Sequence, residues 1–479
     1  MLTTLIISVF MGSHMTKKLG EFEKNTRKFN RKVVQTEHHA KNIAKHMIHR
    51  GRFNRFLRVL GPGVVTGAAD DDPSGIATYS QAGAGFGLGF LWVFPVMYPM
   101  LLAVQESCSR IGAVTGKGLA AVIKENYSKK LLFMSVILVV IANTINIGAD
   151  LGAMAATSQL FMPDISFGFL AIVYAVAIVL LVVFVSYKKY AKILKWLAIA
   201  LFSYPVTAFL IGQDWPELLR NTFAVMPTIN AETIYILVGI LGTTVSPYLF
   251  FWDTSEIVEE EISHHRLTAT GKDPKINRHF LKSIRLDNFF GMTLASVTAW
   301  FIVVVCASVL FRNGVHDITT AADAARALEP LVQGFPNAGL IAKIIFSTGI
   351  IGIGLLAIPT LAGSSAYAIS ETLGWKEGLY RKFSKAIGFY VIIILATLIG
   401  LIINFVGIDP IQALVFTAVF NGIAAVPLLF MIARVGNNSN IMGQYKNGVV
   451  SNVFVRISFI AMLAAVLALF YFLLTGQIV

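Results

Sequence analysis

Charge is what this 479-residue chain has least of. Asp, Glu, Lys and Arg make up 14% of it and apolar residues 56%, against about 25% charged in soluble domains, so lipid is its main solvent. Cysteine is nearly absent too. Cys108 and Cys306 lie far apart in apolar context without CxxC spacing, which excludes a disulfide framework and a thiolate metal centre and leaves two small packing residues. The apolar stretches hold no HExxH, no GxSxG and no pairing of serine with histidine, so intramembrane enzyme chemistry has no nucleophile or metal ligands to use. The glycine-rich GAGFGLG from Gly83 to Gly89 joins two apolar segments instead of a strand and a helix. It reads as a close turn and not a nucleotide loop, and no cofactor is expected.

The chain reads as an all-α integral membrane protein. Its net charge of +13 would suit nucleic acid, but the basic residues are parcelled into short loops between apolar spans, as membrane topology requires. The expected partners are the lipid bilayer and a small solute, without nucleic acid. Within residues 1–15, Gly12-Ser-His-Met15 reads as the remnant of a cleaved affinity tag. Residues 16–58 carry thirteen Lys or Arg and four histidines, His38, His39, His46 and His49, and read as a basic cytoplasmic tail against anionic lipid, in preference to a metal-binding tract.

From Val59 onward eleven spans of about 20 residues are expected, near 59–83, 86–108, 131–157, 165–186, 190–212, 231–258, 287–311, 340–371, 386–406, 410–433 and 453–476. Loops after even-numbered spans hold twenty-one Lys and Arg, against Arg220, Arg312 and Arg326 on the other side. The positive-inside rule then places the chain in the cytoplasmic membrane with its N-terminus inside and its C-terminus outside.

Two of these spans are interrupted. Gly61 to Ala84, GPGVVTGAADDDPSGIATYSQAGA, puts Asp70, Asp71 and Asp72 in a row before helix-breaking Pro73 inside an apolar segment. Such a run is costly in hydrocarbon unless the backbone opens and the carboxylates face a cavity or a cation. Gly242 to Asp253, GTTVSPYLFFWD, repeats the design of glycine, small hydroxyls and proline. Paired interruptions in two halves point to a transporter with its site at mid-membrane. Eleven spans divide as five, five and one, and an odd number per repeat inverts the halves, giving a LeuT-like fold. Residues 59–479 form one transporter domain, with repeats at 59–212 and 231–433, an extra helix at 453–476, and the monomer as the expected functional unit.

The first interruption resembles the first helix of the NRAMP (natural resistance-associated macrophage protein) divalent-metal transporters, whose pattern is a GPG start, an Asp-Pro-Gly-Asn break and an ATxxQAGA continuation. The resemblance runs from residue 59 to about 434. Asp72-Pro73-Ser74-Gly75 takes the place of Asp-Pro-Gly-Asn, and Ser246-Pro247-Tyr248-Leu249 that of Met-Pro-His-Asn in the sixth helix. These departures resemble the prokaryotic branch of NRAMP-related magnesium transporters.

The resemblance selects Asp72 as the leading metal ligand, with a helix-capping aspartate as the plainer reading. A thioether favours soft transition metals, so Ser246 in place of Met makes the site hard. Gly75 in place of Asn removes a ligand and widens the cavity, which suits a partly hydrated Mg²⁺, with Mn²⁺ tolerated. Freed carbonyls near Ala69 and Thr243 and the hydroxyls of Thr244 and Ser246 are candidate neutral ligands. Asp71 and Asp70 are each as apt to bond freed amides as to touch the hydrated ion. Second-rank polar positions are Asn143, Asn146 and Asp150 on the third span, Gln105 and Glu106 on the second, and Asn421 on the tenth. Glu106 and Arg110 read as an ion pair at i and i+4. Glu256, Glu259, Glu260 and Glu261 read as a solvated run.

In NRAMP proteins the resemblance links proton coupling to the sixth-helix His and to acids on the third helix. Here Tyr248 replaces that His, and Ala153 stands where a Glu would follow Asp150. No imidazole is left there to titrate near neutral pH. The leading expectation is uncoupled Mg²⁺ uptake with Mn²⁺ as a secondary substrate. A proton-coupled Mn²⁺ symporter is the first alternative, and a channel or metal sensor on a transporter-like fold the second.

Overall fold

A computed structural model describes residues 67, 70–185, 201–224, 227–263, 276, 278–334 and 337–477, and its regular structure is helical. The tag remnant, the basic tail, the start of the first span (59–66), Ala69 and residues 190–200 of the fifth span lie outside the described residues.

The main helices are α1 (Pro73–Phe86), α2 (Val93–Thr115), α3 (Leu119–Asn126), α4 (Lys129–Gln159), α5 (Phe167–Phe184), α6 (Ser203–Leu210) and α7 (Trp215–Ala224). They continue as α8 (Ala231–Thr244), α9 (Pro247–Ser263), α10 (Arg278–Val309), α11 (Ala338–Leu373), α12 (Ile387–Ile403), α13 (Pro410–Asn437) and α14 (Val449–Leu474). Proline opens α1, α9 and α13, where its missing N–H costs no helical hydrogen bond. Asn230 and Thr233 cap α8 reciprocally, and Asp409 caps α13. Among the described residues seven helical stretches are long and apolar enough to cross a membrane. On α5, Phe169, Ile172, Val173, Val176, Leu180 and Phe184 are exposed; at a spacing of three or four they form one lipid-facing stripe.

The interruptions fall where the sequence puts them. The first precedes Pro73, and the second is confined to Val245 and Ser246, between α8 and α9. Two span boundaries differ. The second span, expected at 86–108, is α2 at 93–115, because Gln105, Glu106 and Ser109 do not end the helix but are buried within it. Glu106 is neutralised there by Arg110 and by Arg285, the latter at 3.3 Å, so its charge does not require the interface. The seventh span, expected from 287, begins at Arg278 as a helical extension.

Contacts between helices follow the expected repeat. The first span packs on the seventh (α1 on α10) and the sixth on the second (α9 on α2), which are equivalent pairs when span n matches span n+5. The third and eighth spans, α4 and α11, pack together. Glycine permits the close approach in both equivalent pairs. A Cβ on Gly83 would lie 2.5 Å from the Val303 carbonyl oxygen, and one on Gly112 would lie 2.3 Å from that of Thr254. Gly112→Val is therefore expected to force α2 from α9 and cost about 1–3 kcal/mol of stability, read as a lowered melting temperature in detergent. A melting temperature equal to wild type would contradict this packing.

Candidate metal-ion site

Asp72 stands at the first interruption with extended backbone (φ −62°, ψ 168°) as the N-cap of α1. Its Oδ1 accepts hydrogen bonds from Ser74 Oγ at 2.6 Å and the Gly75 amide at 2.8 Å. Its Oδ2 accepts from Asn146 Nδ2 on α4 at 2.7 Å. Asn146 is in turn oriented by Thr417 on α13, whose hydroxyl donates to Asn146 Oδ1 at 2.7 Å. The capping role is therefore real, and it occupies one oxygen while the other faces α4. A carboxylate oxygen with a single donor keeps a lone pair for a further partner.

The second interruption meets the first through Ser246. Its hydroxyl lies 2.5 Å from the Thr243 carbonyl oxygen and 3.4 Å from Asp70 Oδ1. Thr243 Oγ1 reaches the carbonyls of Gly239 and Ile240, the back-bonding usual for membrane threonines. The Tyr79 hydroxyl joins both threonines, at 3.2 Å from Thr243 Oγ1 and 3.3 Å from Thr244 Oγ1. The N-termini of α1 and α9 and the C-terminus of α8 all end at these breaks, so positive and negative helix ends converge on one small region.

Asp70, Asp71, Asp72 and Asp150 are 3%, 4%, 1% and 0% exposed. The three consecutive aspartates act on one another electrostatically, Asp72 acts on Asp150, and Tyr248 lies within reach of Asp70, Asp72 and Asp150. Neither Asp150 oxygen has a hydrogen-bond partner. Among the described residues none of the four carboxylates forms an ion pair. Carboxylates buried this way without a counter-charge are costly, and a cation between them relieves the cost. Among the described residues no three of His, Cys, Asp or Glu converge as a ready metal cage. An ion here would rely on one or two carboxylates, neutral oxygens and its own water.

Of the second-rank positions, Asn146 is drawn into the site and Asn143 is not; Asn143 Nδ2 bonds Leu361 O and Ser365 Oγ on α11 instead. Asn421, one turn along α13 from Thr417, is buried with both amide atoms unpartnered. At Gly75 a Cβ would meet the Tyr79 ring at 3.4 Å and Asp72 Oδ1 at 3.5 Å, ordinary contacts, so packing alone does not demand glycine there. Tyr79 and Thr417 escape a reading of the sequence alone. The available signal is spacing: Tyr79 follows Asp72 by seven residues and Thr417 precedes Asn421 by four, each on the same helical face.

The glutamate run at the end of α9 is not the solvated face expected. Glu261 is 0% exposed, Glu259 accepts from the Tyr367 hydroxyl and from the Leu379 amide at 2.6 Å, and Glu256 accepts from Trp252 Nε1 at 3.0 Å. Glu259 thereby fastens α9 to the end of α11 and the loop after it, while Glu256 is held within α9 itself. On the opposite side, a cavity of about 780 Å³ opens between α1 and α8, lined by Gln81, Glu232, Tyr235, His316, Asp317 and Gln412 among others. Gln81 pins its wall by accepting from the Ile318 amide at 2.9 Å and donating to Asp317 Oδ1 at 3.2 Å.

Solved structures share this architecture. That of the Eremococcus coleocola manganese transporter in complex with an aromatic bis-isothiourea substituted compound matches with a TM-score of 0.69 at 17% identity, covering 87% of either chain. MhsT in complex with L-phenylalanine matches at 0.56 with 11% identity, over 85% of this chain and 98% of its own. The class is thus an all-α, multi-pass membrane protein of LeuT-like fold. Within it, the family profile described as natural resistance-associated macrophage protein-like matches residues 63–472, and the chain belongs to that family. It is a family of transporters, not of enzymes. Curated relatives include the divalent metal cation transporters MntH of Clostridium acetobutylicum, 26% identical over 88% of this chain and 92% of its own, and of Klebsiella pneumoniae, 25% identical over 88% and 95%.

Proposed function

We propose that this protein carries divalent metal ions across the cytoplasmic membrane, with Mg²⁺ as its main substrate and Mn²⁺ as a second. The observation that carries the reading is the run of three buried aspartates where two broken helices meet, with buried Asp150 on α4 beside Asp72, none of them in an ion pair among the described residues. Relatives named as divalent metal cation transporters support the ion class. The choice of Mg²⁺ rests on chemistry: the groups described around Asp72 are carboxylate, hydroxyl, amide and phenol, all hard donors, and neither a thioether nor an imidazole is among them.

The residues take these roles in the proposal. Asp72 Oδ2 holds the ion; Asp71 and Asp70 hold its water or share its charge. The Ser246 and Thr244 hydroxyls and the carbonyls of Thr243 and Ala69 supply neutral oxygens, and Gly75 leaves room for the hydration shell. The cavity beside Glu232 and Asp317 gathers cations on the side away from the basic loops. With the N-terminus cytoplasmic, entry needs no proton: a divalent ion crossing 100 mV gains about 4.6 kcal/mol, twice the single-charge value. The monomer suffices.

Proton-coupled symport is favoured by one observation, Asp150, whose unpartnered carboxylate beside Asp72 is a place for a proton as well as for a cation's field. Proteoliposome uptake with Mg²⁺ and Mn²⁺ indicators and an internal pH dye separates the two. Uptake of both ions without acidification supports uncoupled transport. Mn²⁺-driven acidification with no Mg²⁺ entry sinks the magnesium reading.

A further inference from the structure

One buried carboxylate is used by nothing described so far. Asp253 lies on α9 seven residues past Ser246, about 10 Å along the helix toward the end that carries the basic loops. It is 1% exposed. Its Oδ2 accepts from Ser109 Oγ on α2, and Asn288 Nδ2 on α10 donates to that same Ser109 oxygen at 2.7 Å. Its Oδ1 has no hydrogen-bond partner, and among the described residues Asp253 makes no ion pair. The charged groups that act on it or feel it are acidic, Asp287 on α10 and Glu256 on α9.

A second observation is independent of the first. Gln105, one turn along α2 from Ser109 on the same face, is 0% exposed, and neither atom of its amide is bonded. Asp253 Oδ1 on α9 and the amide of Gln105 on α2, one turn from the Ser109 that bonds Asp253, are buried and unsatisfied, and they mark a place built for something polar that bonds them. The charged neighbours described for Asp253 are acidic, and Arg110, next to Ser109, and Arg285, three residues before Asn288, are taken up by Glu106, so a positively charged partner fits this place.

We propose that Asp253 and Gln105 form a second divalent-cation site, on the exit side of the helix breaks. Asp253 Oδ1 and Gln105 Oε1 are its open oxygens. Ser109 and Asn288 fix the orientation of Asp253, and water completes the shell, as a single carboxylate suits a hard, partly hydrated ion. The site gives an ion leaving Asp72 a binding step on its way out, and it rests on the reading of the chain as a divalent-cation transporter.

The test is Mn²⁺ bound per chain in detergent-purified full-length protein, read by loss of the free Mn²⁺ electron paramagnetic resonance signal and by displacement with Mg²⁺. Asp253→Asn is nearly isosteric and keeps an oxygen for Ser109. Two ions in wild type, and one in each of Asp72→Ala and Asp253→Asn, carry the proposal. One ion in wild type, kept in Asp253→Asn and lost in Asp72→Ala, overturns it and leaves the transport reading intact. An ion kept in Asp72→Ala but lost in Asp253→Asn upholds the second site while removing the first. Should Asp253→Asn not fold, Gln105→Leu is read instead: about tenfold weaker binding of the second ion supports the site, and an unchanged affinity overturns it.

Discussion

Asp72→Ala is expected to abolish uptake of both Mg²⁺ and Mn²⁺ into proteoliposomes. Asp72 is the carboxylate at the first break whose two oxygens are both held in place, one by Ser74 and Gly75 and the other by Asn146. Removing one partner of a buried charge pair costs about 2–5 kcal/mol, so ion affinity should fall by about 30-fold or more. The alanine variant alone leaves an ambiguity, because it also removes the cap of α1. Asp72→Asn resolves it. Asparagine caps a helix about as well as aspartate but carries no charge, so a purely structural Asp72 predicts an active asparagine variant and an ion-binding Asp72 an inactive one. Wild-type uptake in Asp72→Asn would move the site elsewhere, with Asp150 the next carboxylate to test.

Ser246→Met should change which ion is carried. A thioether at the second break adds a soft ligand, and soft ligands favour transition metals over Mg²⁺. Uptake of Mn²⁺ or Cd²⁺ relative to Mg²⁺ is expected to rise about tenfold or more, equivalent to about 1.4 kcal/mol of discrimination. Ser246 is 1% exposed, and the larger side chain brings an overpacking cost of about 1–3 kcal/mol. Total activity will therefore fall, and the readout is the ratio. Ser246→Ala is the control: it removes the hydroxyl that contacts Asp70 and the Thr243 carbonyl without adding a soft donor, and should leave the ratio near wild type. An unchanged Mg²⁺ preference in Ser246→Met would show that position 246 does not face the ion.

Those two positions are legible in the amino-acid sequence because their signals do not depend on neighbours. A proline beside ionised or small polar residues within an apolar run has few stable solutions in a membrane, and an opened helix facing a cavity is the common one. The same holds for the repeat, since an odd number of spans per half inverts it wherever the helices come to pack. The boundaries of α2 are different. Gln105, Glu106 and Ser109 look like a membrane interface when read alone, and it is Arg110 with the distant Arg285 that lets Glu106 stay inside the bundle. The glutamates at the end of α9 mislead for a similar reason, as the Leu379 amide and Tyr367 hydroxyl that receive Glu259 come from more than a hundred positions away.

The third span shows where sequence stops. Asn143, Asn146 and Asp150 all stand out as polar residues in an apolar helix, and their spacing of three, four and seven puts them on one broad face, so the sequence cannot tell which partner each one meets. The helices packed alongside decide it, and they give Asn143 to α11 and Asn146 to Asp72. By itself, then, the sequence determined the membrane as solvent, the two breaks, the paired halves and the residue types available at the centre, because each follows from the cost of burying charge and open backbone in hydrocarbon. Only the tertiary structure decided which polar side chains face one another across helices, and with that which carboxylates keep an unpaired oxygen. Helix rotation and long-range partners are set by packing, and packing has no local signature in the chain.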